Sequence, residues 1–218
     1  MEKKYMESSQ RLLDFIEKSP SCFHAVENLK NKFLTAGFTE LKEENIWKIK
    51  EGGKYFVCRN ESSIIAFSVP SFAFENFQIA AAHSDSPSFK IKENPEMLAE
   101  GSYVKLNVEK YGGMIIAPWF DRPLSVAGKI AVRNEKGFET RLVNVDRDLV
   151  LIPNLAIHMD RGMNDGHSYN VQYELLPLFG EANSKGKFLE IIASSCGVNP
   201  NQIIGTDLFL YNRQKGSV

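Results

Sequence analysis

Phe77-Gln78-Ile79-Ala80-Ala81-Ala82-His83-Ser84-Asp85-Ser86-Pro87 is the stretch on which the fold turns. Residues 77–82 are almost continuously apolar, the pattern of a strand buried on both faces in an α/β sheet. The run leaves through His-x-Asp, which is how a metal-dependent hydrolase sets an imidazole ligand at the carboxyl edge of a sheet, where open α/β folds keep their sites. Residues i and i+2 of a strand point to the same side, so the pattern aims His83 and Asp85 into one pocket. By itself His-x-Asp is a weak signal that more often describes a hydrogen-bonded histidine beside a capping aspartate.

Upstream, Leu12, Leu13, Phe15 and Ile16 give one face of a first helix, which Ser19-Pro20 ends because proline disfavours helical geometry in the residue before it. A second helix begins near Ser21, a candidate N-cap. Phe23, Val26, Leu29, Phe33 and Leu34 recur at helical spacing, and Gly37 sits where a left-handed residue closes a helix. Short strands are expected over 46–49, 55–58 and 64–67, the first two joined at Gly52-Gly53. Downstream of Lys92-Glu93-Asn94-Pro95 the pattern turns to strands: alternating Val104, Leu106 and Val108, then 126–132, 138–145 and 150–158. One helix is expected over 187–195, closed by Gly197, and a last strand over 208–211. The expected division is therefore 1–90 as an α/β layer, 91–212 as a β-rich module and 213–218 as the start of a return to the first.

Apolar residues make up 43% and charged residues 24% of the 218, enough for a packed core. Lys plus Arg number 26 against 27 Asp plus Glu, so no general charge favours nucleic acid or an anionic membrane as partner. Cys22, Cys58 and Cys196 are far apart, which suggests neither a thiolate metal site nor a disulfide framework and fits a reducing cytoplasm. The start lacks the apolar core of a signal peptide, and no apolar run approaches the ~20 residues of a membrane span. No G-x-S-x-G elbow supports Ser84 or Ser86 as a nucleophile. Glu43-Glu44 reads as a solvated pair. His24, within a helix, and His167, in a polar loop, lack the H-E-x-x-H spacing of another zinc class.

Three ordered blocks carry a resemblance: His83-Ser84-Asp85-Ser86-Pro87 with Lys90 and Lys92; Tyr111-Gly112-Gly113 followed by Trp119-Phe120-Asp121-Arg122-Pro123-Leu124-Ser125-Val126-Ala127-Gly128; and Ile152-Pro153-Asn154-Leu155-Ala156-Ile157-His158-Met159-Asp160-Arg161 with Asn164, Gly166 and Glu174-Leu175-Leu176-Pro177-Leu178. Together they resemble the aspartyl aminopeptidase and vacuolar aminopeptidase I family of co-catalytic metallopeptidases, across essentially the whole chain. The resemblance implies an α/β fold: a partial metallopeptidase sheet domain with an inserted β-rich dimerisation domain.

It further implies that His83 is a metal ligand and that Asp85 orients or polarises the site from behind it. By the same resemblance, His158 is similar to the histidine that one subunit presents to its neighbour's active site, where it contacts substrate. Read from the residues alone, His158 is a solvent-facing strand histidine, and Trp119, Phe120, Asp121 and Arg122 form an aromatic core with an ion pair. The implied activity is removal of amino-terminal residues from peptide substrates by two divalent metal ions, zinc with cobalt or manganese as options. The implied partner is a second copy of the chain, as a dimer or higher homo-oligomer. Family members continue for about as many residues again, supplying a bridging Asp, a Glu-Glu pair, a further Asp and a late His, none of which maps here. The expectation is thus an amino-terminal portion that is inert alone; the alternative is a non-catalytic oligomerisation or binding module.

Overall fold

The structure is a computed structural model that describes residues 2–218. The chain folds into two compact units, Met1–Ser86 with Lys215–Val218, and Pro87–Gln214.

In the first unit, helices α1 (Glu2–Glu17) and α2 (Cys22–Thr35) accompany a three-stranded sheet in the order β1 (Thr39–Leu41), β2 (Gly53–Arg59), β3 (Ser63–Val69). Strand β1 runs parallel to β2, and β2 antiparallel to β3. Proline at 20 separates the helices, and Gly37 takes φ 79° just beyond α2, a conformation that costs glycine little. Phe23, Val26 and Phe56 are buried, and Phe33 stacks on Phe56 at 5.9 Å between ring centroids. Ser21 is the N-cap of α2, yet its hydroxyl lies 2.8 Å from His24 Nδ1 instead of on a backbone N–H.

Two expected strands of this unit are absent. Residues 46–49 form no strand, and Ile46 is 93% exposed. Residues 77–82, expected as a buried strand, run without strand pairing, with Phe77 76% and Ile79 84% exposed. The residues have the composition of a buried strand, but a strand needs a neighbour for its N–H and C=O groups. Among the described residues no strand pairs with this one.

The second unit is a six-stranded sheet in the order β7 (Gly137–Asn144), β6 (Leu124–Asn134), β9 (Ile203–Asn212), β4 (Ser88–Ala99), β5 (Tyr103–Tyr111), β8 (Leu178–Glu181). Every neighbouring pair is antiparallel. The alternation of Val104, Leu106 and Val108 is the buried face of β5, and Leu106 and Val108 join Phe89, Leu124, Ile130, Leu208 and Leu210 in one core. Lys92-Glu93-Asn94-Pro95 does not precede the sheet: it lies inside β4, where pairing with β5 shifts register between Ile91 and Glu96. A bulge is where a strand tolerates proline, which has no N–H for the ladder.

Helix α3 (Phe188–Cys196) buries Phe188 and Ile192 and is closed by Gly197 at φ 68°. Its approach is held by Glu96, whose carboxylate accepts the N–H groups of Phe188, at 2.7 Å, and Gly186. Gly128 is fixed by crowding, since a Cβ there would stand 2.1 Å from the Asp207 carbonyl oxygen on the neighbouring strand. The strand expected over 150–158 is only a set of bridges at Val150, Leu151 and Ile152. Pro153 removes a donor, and residues 153–176 continue as loop and turns with one short 3-10 helix, Met163–Asp165.

Candidate functional site

His83 sits in irregular backbone, not at a strand end, because residues 77–82 are unpaired. Its side chain is 76% exposed. The ring is nevertheless oriented: Nδ1 lies 2.6 Å from the Asp85 carbonyl oxygen and 3.1 Å from Asp85 Oδ1. A backbone carbonyl only accepts, so Nδ1 carries the hydrogen, and in the neutral imidazole Nε2 presents its lone pair to solvent. Fixing one ring nitrogen on a carbonyl or carboxylate is how a ligating histidine is held in tautomer and direction. The adjacent Ser84 hydroxyl donates to the Ser62 carbonyl at 2.6 Å, which ties this turn to the loop between β2 and β3.

The residues present fit one ligand position rather than a whole site. Among the described residues no group of three or more His, Cys, Asp or Glu side chains could hold a metal ion. Glu43 is committed elsewhere, paired with Arg59 at 2.5 Å. His24 is a different kind of histidine, partly buried in α2, and burial lowers its pKa to about 4. Among the described residues Cys22, Cys58 and Cys196 form no disulfide, and burial raises the Cys58 and Cys196 thiols, which disfavours thiolate ligation.

His158 belongs to the second unit, on an exposed turn at 157–159. Leu155, Ile157 and Met159 around it are 51%, 45% and 76% exposed. Behind the turn, Phe120 stacks on Tyr169 at 5.0 Å and Trp119 meets Phe89 edge-on at 5.1 Å, so the aromatic part of the Trp119-Phe120 block is structural. No Asp121–Arg122 ion pair forms: Asp121, at φ 55°, accepts the Asn154 N–H at 2.9 Å, and Arg122 Nε is buried without a hydrogen-bond partner among the described residues.

The loop also holds a cluster that sequence spacing does not announce. His167 lies between two carboxylates, with Nδ1 2.9 Å from Asp160 Oδ2 and Nε2 2.7 Å from Glu174 Oε1. The Asn170 N–H, followed by the His167 ring, lowers the Glu174 pKa. Residues 7 positions apart in a polar loop carry no periodic signal; only the folded turn brings them together.

The family model described as "Aminopeptidase I zinc metalloprotease (M18)" matches residues 15–218. A "Probable M18 family aminopeptidase 2" of Clostridium acetobutylicum is 49% identical over 224 residues, covering 99% of this chain and 52% of the relative. Among solved structures, "Cryo-EM structure of the Ape4 and Nbr1 complex" matches with TM-score 0.89 and 37% identity, over 94% of this chain and 44% of the other. "Structure of Chaetomium thermophilum mApe1" matches with TM-score 0.86 and 35% identity, over 94% and 51%. The chain spans about half the length of the curated relatives it matches, 52% in the first two.

Proposed function

We propose that this chain, which belongs to the aminopeptidase I zinc metalloprotease (M18) family, is the amino-terminal portion of a two-metal aminopeptidase that removes amino-terminal residues from peptides. The observation that carries the proposal is the orientation of His83: Asp85 takes the Nδ1 hydrogen, leaving Nε2 free as a ligand atom. When bound, a divalent ion such as zinc, cobalt or manganese supplies Lewis-acid polarisation of a peptide carbonyl and of water. Asp85 fixes the His83 ring and, through its carboxylate, raises the basicity of the ligand nitrogen. His158, on its exposed turn, reaches peptide held by a neighbouring subunit, and the apolar residues beside it form part of the self-association surface.

A catalytic zinc ordinarily takes three protein ligands, and a single oriented histidine falls short of that number. Residues outside 1–218 therefore supply the rest, including the carboxylate that moves the proton from water. Among the described residues no helix is long and apolar enough to cross a membrane, so no such anchor enters the proposal.

The test uses the full-length protein and the 218-residue chain side by side. Both are assayed on a panel of aminoacyl chromogenic substrates with added zinc, cobalt or manganese, and again with chelator. Chelator-sensitive turnover by the full-length protein alone is the expected result. Metal-dependent turnover that copurifies with the 218-residue chain and disappears in His83→Ala would overturn the incomplete-site account. No turnover by either would favour a non-catalytic oligomerisation or binding module.

A further inference from the structure

We propose that His167 is a positioning residue for His158: held between the Asp160 and Glu174 carboxylates, its imidazole ties the exposed turn that carries His158 to the part of the loop anchored in the core. The proposal rests on the substrate-contacting role given to His158 above.

The two ends of the tie differ in how they are held. Glu174 sits on anchored chain: its N–H donates to the Asn170 carbonyl at 2.9 Å, its carboxylate accepts the Asn170 N–H, and Leu175 and Leu176 behind it are buried. Tyr169, which stacks on buried Phe120, meets the His167 ring edge-on at 4.9 Å. Asp160, by contrast, belongs to a turn whose other bonds are local: Met159 N–H to the Ala156 carbonyl at 2.8 Å, and Gly162 N–H to Asp160 Oδ1 at 3.0 Å. Among the described residues the Asp160–His167 pair is the one side-chain hydrogen bond or ion pair reaching from residues 156–162 to other chain. His158 lies two residues before Asp160.

The chemistry explains why histidine suits the position. Both partners are carboxylates, which accept when ionised, and an imidazole bearing hydrogens on both nitrogens donates to each along fixed opposite directions. An alanine joins neither partner, so the turn loses its connection to residues 169–176. An Asp160 amide keeps the tie by a different route, since its N–H donates to the lone pair of a neutral ring. The role is one of geometry, and small displacements of a group that meets the transition state lower turnover strongly.

The test is made in the full-length protein. His167→Ala is expected to lower kcat on the order of tenfold with KM and bound metal unchanged, and to speed amide exchange in residues 156–163. Asp160→Ala should do the same, whereas Asp160→Asn should restore most of the turnover. In a His158→Ala background His167→Ala should cost nothing more, because groups that act as a unit are not additive. Full additivity, or a variant with wild-type exchange over 156–163, would overturn the tie. If His158→Ala itself leaves kcat unchanged, the role given to His158 fails, and the exchange measurement alone decides whether His167 holds the turn.

Discussion

Acid should destabilise the first unit through His24 before its carboxylates titrate. The ring is partly buried in α2 beside buried Phe23, Ala25 and Val26, and burial lowers its pKa from 6.5 to about 4. Above pH 6.5 the ring is neutral in both folded and unfolded chains and makes no pH-dependent difference. As pH falls below 6.5 the unfolded chain takes up a proton that the folded one refuses, so stability is lost progressively and levels off near pH 4. At about 1.4 kcal/mol per pH unit, that interval corresponds to about 3.5 kcal/mol at most, less what solvent screening of the partly exposed ring removes, still a large part of the 5–15 kcal/mol typical of a domain.

The perturbation is His24→Gln, which keeps a polar partner for the Ser21 hydroxyl and does not titrate. The assay is urea unfolding between pH 7.5 and 4, followed by Trp47 fluorescence in a Trp119→Phe background. Trp47 lies in the first unit, and only 2 tryptophans are present. Carboxylates whose pKa values are lowered, such as Glu40 by its pairs with Lys42 and Lys30, lose stability at the acid end in both proteins and cancel in the difference. The wild-type chain should fall toward, and below, the variant as pH drops. Parallel curves would refute the buried-imidazole account.

Two further outcomes concern the fold. Gly128→Ala should cost several kcal/mol and lower the denaturation midpoint of the second unit, because its Cβ meets the Asp207 carbonyl of a neighbouring strand at 2.1 Å; an unchanged midpoint would refute the crowding argument. In the 218-residue chain, amide exchange should be slower in β6 and β9 than in α2 and β2, since the large apolar cluster lies wholly within 89–210 and the first unit leaves 77–82 exposed. The reverse order would show that the first unit holds more stability than its core suggests.

What the sequence made legible is what neighbours in the chain decide. The periodic apolar face and Pro20 place α2, and the alternation of Val104, Leu106 and Val108 places the buried side of β5. The α/β class, the family and one ordered run of motifs were readable for the same reason. Pairing was not. Residues 77–82 have a strand's composition but no neighbouring strand, the expected strand over 46–49 leaves Ile46 in solvent, and the run after Val150 stops pairing at Pro153. Strand β1 is only Thr39–Leu41, too short to show a period. At the candidate site, spacing pointed to His83 with Asp85, and the fold adds which ring nitrogen is left free. His167 was invisible because its meaning depends on two carboxylates that only the folded loop brings to it.

The role given to His83 is tested most directly by metal analysis of the full-length protein and two variants. If His83 Nε2 is a ligand and His158 acts on substrate from a turn outside the metal site, His83→Ala should lose bound metal together with turnover. His158→Ala should keep the wild-type metal content while its turnover falls. Wild-type metal content in His83→Ala, or equal metal loss in both variants, would contradict the account.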